Sequence, residues 1–129
     1  MQTTFHRAFD MACDLEEALE AAVAAGCRRI LTSGGRNTAV EGIDTLRALV
    51  AQAAGRIELM AGSGVNPSNV RQLAAPGVDA VHFSARSVRP GGMVFRNPHV
   101  SMGGCGDVSE YDLLCADERL IRQILTLLE

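Results

Sequence analysis

Two hydrophobic periods alternate along this chain. Short runs that suit a pleated strand are each followed by a longer stretch with apolar residues three and four apart. Thr3–Asp10 reads as the first strand, since Thr4, Phe5 and Phe9 fit a pleated surface. The stretch "DLEEALEAAVAAG" follows as a helix. Asp14 takes its N-cap, Glu17 stands three residues on, Gly26 closes it, and Leu15, Leu19, Ala22 and Val23 form the apolar face. Arg28–Thr32 is a second strand that ends in glycines. The next helix runs from about Thr38 to Ala53, with Val40, Ile43, Leu46, Leu49 and Val50 at helical spacing. The stretch "GRIELMAGSGVN" repeats the pattern of a strand running into a glycine-rich turn. Asn66 caps a helix after it, with Pro67 in the first position and Val70 and Leu73 facing inward. Ala80–Ser84 is the fourth strand, a long loop covers Ser87–Glu110, and a last helix spans about Asp117–Leu128.

Four strand–helix units with short turns imply parallel strands and right-handed crossovers. Two architectures fit: a small open doubly wound sheet, or half of an eight-stranded (β/α)8 barrel. Strand parity favours the second. If Phe5, Phe9, Leu31, Ile57, Leu59, Val81 and Phe83 face the helices, the other face carries His6, Ala8, Asp10, Thr32, Glu58, Met60, His82 and Ser84. A sheet covered on both sides should be apolar on both. One polar face, with polar groups toward the carboxyl ends of the strands, is what a barrel lumen below a ligand-binding mouth requires. Arg7 has the wrong parity for that lumen: either a bulge re-aims it, or it is a structural cation near a helix end.

Composition narrows the function classes. The 129 residues are 47% hydrophobic and 21% charged, a globular balance for one domain. A net charge of −3 gives no basic footprint for nucleic acid. No apolar run reaches the roughly 20 residues that span a bilayer, and no leader pattern opens the chain, so no membrane partner and a cytoplasmic setting are expected. Cys13, Cys27, Cys105 and Cys115 form no C-x-x-C pair and read as free thiols.

The candidate chemistry lies where the strands end, in "HRAFD", "TSGG", "GSGV" and "FSAR". Gly62 and Gly64 would let backbone approach a ligand, and phosphate or sulfate is expected near Gly62–Asn66 and Ser84–Arg86. Glycines that only make tight turns are the competing reading. His6 and His82, sharing a face with Asp10 and Glu58, are candidate proton carriers or ligands. The expected mouth is formed by His6, Arg7, Asp10, Ser33, Gly34, Gly62, Gly64, His82, Ser84 and Arg96. Met60, Met93, Met102 and Cys105 are soft donors of the kind that suits Cu(I), although methionines are more often gap fillers.

The motifs "TFHRAFDM", "RILTSGG", "ELMAGSGVN", "VHFSAR" and "MVFRNPHVSMGG", in this order, resemble the CutC family of copper homeostasis proteins. The resemblance implies a cytoplasmic TIM-type (β/α)8 barrel about twice this length. On that reading residues 1–129 are a single partial barrel domain, strands five to eight, that starts at "TFHRAFD" because it is the carboxyl-terminal half. Three functions follow as expectations: copper handling with copper ion binding; an enzyme or relic of one that binds a small phosphorylated or carboxylated ligand; or a truncated product without function. Two open sheet edges further predict a homodimer, or association through those edges.

Overall fold

In the computed structural model, residues 1–101 and 108–129 are described. Met102 and Cys105 lie outside them. Strands β1 (Thr4–Phe5), β2 (Arg29–Thr32), β3 (Glu58–Gly62) and β4 (Ala80–His82) form one parallel sheet in the order β1-β2-β3-β4. Helices α1 (Leu15–Ala24), α2 (Ile43–Ala53) and α3 (Val70–Ala74) connect them in turn. The chain is thus a mixed α/β fold built on four parallel strands. None of the described helices is long and apolar enough to cross a membrane.

Local signals explain most element ends. The Asp14 carboxylate accepts from the Glu16 and Glu17 N–H groups, which fixes the start of α1. Asp117 caps α4 (Glu118–Leu128) in the same way, accepting from Arg119 N. Side chains on one sheet face pack against the helices: Phe9, Leu19, Ile30, Leu49, Ile57 and Leu59 form one buried cluster, and Ala39, Leu46, Ala61 and Leu73 another. A clamp ties α1 to the turn after α2, where Arg56 donates to both Glu20 oxygens at 2.7 and 2.8 Å.

The structure departs from the sequence expectations in four places. The first strand is two residues long. At His6 the chain turns into a 3-10 helix, Arg7–Met11, and the His6 Nδ1 accepts the Ala8 N–H at 3.0 Å as its cap. In β2 the faces are exchanged: Ile30 and Thr32 are buried toward the helices, while Leu31 shares the open face with Met60 and Ala80. Thr32 tolerates burial because its hydroxyl is hydrogen-bonded, as the next subsection describes. Residues 38–42 form a turn rather than the start of a helix. Thr38 and Glu41 make reciprocal side-chain-to-backbone bonds, and Ala39 N donates to Ser63 O, which docks this turn on the end of β3. Finally, the expected long loop holds an antiparallel hairpin, β5 (Arg86–Pro90) paired with β6 (Asp112–Ala116).

Candidate functional site

Asp10 organises the carboxyl ends of β1 and β2. Its side chain is 6% exposed. It accepts from Thr32 Oγ1, from Ser33 N (3.0 Å to Oδ2), from Gly35 N (3.0 Å) and from Arg7 Nε (2.8 Å). Ser33 Oγ lies 2.9 Å away. Burial pushes the Asp10 carboxyl up, but the donors from Thr32, Gly35, Arg7 and Ser33 together outweigh it and hold the group below its ordinary value of 3.8. An acid so fully engaged is a positioning residue, not a proton carrier. What it positions is Arg7, whose Nη2 also donates to Ser33 Oγ (2.8 Å) and to Arg36 O (3.0 Å). The open question about Arg7 is resolved in these terms: the 3-10 turn, not a strand parity, aims it.

Arg7 stands between two clefts. One, of about 690 Å³, is lined by Arg7, Asp10, Gly35, Arg36, Asn37 and Glu41, with Met11 at its rim. The other, of about 540 Å³, lies across the ends of β2, β3 and β4 and is bordered by Arg7, Leu31, Ser63, Gly64, His82, Ser84 and Arg86. Ser63 (φ 84°) and Ala85 (φ 45°) are non-glycine residues in the left-handed region at the ends of β3 and β4. Such conformations cost about 1–3 kcal/mol and gather at functional sites. Among the described residues, the N–H groups of Gly64 and Val65 have no hydrogen-bond partner. Gly64, at φ 74°, completes this turn.

Of the ten expected mouth residues, Arg7, Gly64, His82 and Ser84 border this second cleft. Asp10 and Ser33 support Arg7 from behind. Gly34 is buried, and its missing Cβ makes room for the Gly42 carbonyl. Gly62 is buried in β3 beside Leu31 and His82. His6 caps the 3-10 turn, and Arg96 lies over the Tyr111 ring at 5.3 Å, in the connection between β5 and β6. Leu31, Arg36, Asn37 and Glu41 line the clefts without having been expected; nothing in their local sequence marks them. Asn66 does not start a helix. It opens an Asx turn, accepting from Ser68 N, and α3 begins only at Val70.

Residues 1–87 match the CutC family profile. The chain belongs to the CutC family. A family protein CutC from Bacteroides thetaiotaomicron is 49% identical over 113 residues, 87% of this chain and 45% of that protein. One from Porphyromonas gingivalis is 45% identical and covers 100% of this chain and 52% of its own length. The crystal structure of a CutC protein from Streptococcus agalactiae, named for copper homeostasis, matches with a TM-score of 0.59 at 36% identity, over 64% of this chain and 41% of that one. The chain therefore spans about half the length of the curated relatives it matches.

The CutC name raises the question of copper donors. Among the described residues no three His, Cys, Asp or Glu side chains gather to hold a metal. Met60 is half-buried on the open face of β3, Met93 is 60% exposed beyond β5, and His6 Nδ1 is engaged as a cap. Cys13 is exposed, Cys27 lines an apolar groove beside α1, and Cys115 sits on β6. Among the described residues, then, no group of His, Cys, Asp or Glu side chains forms a metal site, and Met102 and Cys105, two of the expected soft donors, lie outside them.

Acid should loosen this architecture in a defined window. Glu20 is pulled down to about 2, first by its hydrogen bond from Arg56 and then by Gln52. Asp10 and Glu58 are also lowered, the latter chiefly by Arg29. A carboxyl with a depressed folded pKa adds stability above its unfolded pKa and loses it as pH falls toward the folded one. The urea midpoint should stay level from pH 7 to 5 and fall between about 4.5 and 2. Glu20→Gln should flatten part of that fall; a slope identical to the parent would contradict the assignment.

Proposed function

We propose that this chain serves the copper-homeostasis role for which its family is named, in the cytoplasm, and that its own contribution is a mouth that binds a small phosphorylated or carboxylated ligand. The single observation that carries the reading is the convergence of Arg7, His82 and Arg86 on one cleft beside the unpartnered Gly64 and Val65 N–H groups. Consecutive N–H groups in a left-handed turn form a concavity suited to an anion oxygen. Arginine adds charge and a planar fork that matches phosphate or carboxylate. The position, outside the carboxyl ends of parallel strands, is where α/β folds bind ligands. The half-barrel reading is supported by the four parallel βα units together with relatives about twice as long.

The test is thermal unfolding in increasing inorganic phosphate. Binding raises the melting temperature by mass action, and at one hundred times the Kd the gain is about 2.7 kcal/mol. Arg86→Ala, at an exposed position, should keep the fold and lose most of the gain. Gly64→Asp should abolish it through its φ of 74° and like-charge repulsion. An unchanged melting temperature up to tens of millimolar phosphate would reject the anion reading. Competition against a Cu(I) chelator reads the other possibility: tight binding by the reduced chain would place copper here directly.

A further inference from the structure

Two clefts meet at Arg7, and the proposed anion site occupies only one of them. Their charges differ. The cleft across the ends of β2, β3 and β4 is bordered by Arg7 and Arg86, with no carboxylate among its described lining residues. The other sets Arg7 and Arg36 against Asp10 and Glu41, so its formal charges cancel. Complementarity of charge then assigns an anionic group to the first cleft and an uncharged polar group to the second.

The clefts adjoin. Segment 36–38 is the wall between them, and it is held by its backbone. Arg36 O accepts from Arg7 Nη2 at 3.0 Å. Asn37 O accepts from Ser63 Oγ at 2.6 Å, so a residue lining one cleft is bonded directly to a residue bordering the other. The Arg36 and Asn37 side chains take no part in these bonds. Both residues are exposed, and neither side chain has a hydrogen-bond or ion-pair partner among the described residues. Arg7 completes the bridge. Asp10, Ser33 and Arg36 O fix its Nε and Nη2, and Nη1 is left without a partner among the described residues.

The second cleft offers a mixed set of groups. Arg36 can only donate, Asn37 can donate and accept, and the ionised Glu41 can only accept. Glu41 Oε2 takes the Thr38 N–H at 3.0 Å, and Oε1 is unengaged among the described residues. A second acid on the ligand could give Glu41 no proton to accept and would be repelled by it. A hydroxyl satisfies all three side chains, since it donates to the carboxylate and accepts from the guanidinium or the amide. At about 690 Å³ the cleft has room for a sugar-sized body. In the first cleft, two arginines with no opposing carboxylate match the higher charge and three terminal oxygens of a phosphate better than a carboxylate.

We propose, on the strength of the anion site described above, that the mouth takes a phosphate monoester of a polyol or sugar. The phosphate lies at the Gly64–Val65 turn beside Arg86, Arg7 bridges, and the hydroxyls meet Arg36, Asn37 and Glu41. Isothermal titration of the whole chain with inorganic phosphate, ribose 5-phosphate and 2-phosphoglycolate tests this. Ribose 5-phosphate should bind about tenfold or more tighter than inorganic phosphate, the gain from a hydrogen bond to a charged group. The carboxylate of 2-phosphoglycolate should bring no gain. Asn37→Ala and Arg36→Ala keep the backbone bonds of the wall, so the circular dichroism should stay parental. Each should pull ribose 5-phosphate toward the affinity of inorganic phosphate. Equal parental affinities for those two ligands would overturn the polyol assignment while leaving the anion site in place. So would 2-phosphoglycolate binding as tightly as ribose 5-phosphate, or a sugar advantage that survives both variants. No binding of any of the three ligands would remove the anion site and the polyol assignment together.

Discussion

Asp10→Ala should destabilise this protein by about 3 kcal/mol or more, seen as a large drop in the urea midpoint. The carboxylate accepts from Thr32, Ser33, Gly35 and Arg7, and both Thr32 and Ser33 are fully buried. Alanine leaves the buried donors without acceptors, each costing about 1–3 kcal/mol. Part of the Arg7 contribution is screened, since that side chain is 40% exposed; the buried hydroxyl and N–H groups dominate. Asp10→Asn keeps one acceptor but turns an amide N–H₂ toward other donors, so it should lie between parent and alanine. If Asp10→Ala unfolds within about 0.5 kcal/mol of the parent, the network is not what holds the 3-10 turn to β2. The same variants should weaken phosphate binding, because Arg7 loses its support.

The parts of the fold that could be read from the sequence are those with local causes. Asp14 and Asp117 announce their helices because capping uses a side chain and N–H groups two or three residues away. The strand–helix alternation survives because each strand has apolar residues for the helix face. What failed was decided over longer distances. Ile30 and Leu31 are both apolar, so period-two counting could not choose which one faces the helices, and Thr32 looks like a surface residue until Asp10 is brought beside it. Asp10 likewise ends the first strand early through bonds to residues more than twenty positions away. The β5–β6 hairpin was hidden by the long segment between its strands. At the candidate site, Gly64, His82 and Ser84 were readable from their place at strand ends. The left-handed backbone of Ser63 and Ala85 was not, since neither residue type favours it. Arg96 misled because its partner, Tyr111, arrives only through the hairpin.

Gly42→Ala should be the costliest single methyl group that can be added to this chain among the described glycines. Gly34 and Gly42 cross backbone to backbone. A Cβ on Gly42 would fall well inside the Ser33 carbonyl and 3.0 Å from Gly34 Cα, and a Cβ on Gly34 would lie 2.5 Å from Gly42 O. None of these neighbours is a flexible side-chain end, so relief requires the backbone itself to move. That movement would push Ser33 off Asp10 and Arg7, and would lift the turn whose Ala39 docks on Ser63. Overpacking typically costs 1–3 kcal/mol, and a rigid backbone obstacle puts this case at about 3 or above. Gly92→Ala is the control: nothing lies within 4 Å of its Cβ position, so it should stay within about 0.5 kcal/mol of the parent. Urea unfolding of the three proteins decides the matter. Equal midpoints for Gly42→Ala and Gly92→Ala would mean that the crossing is looser than described, and that Ser33 is free to leave the site without cost.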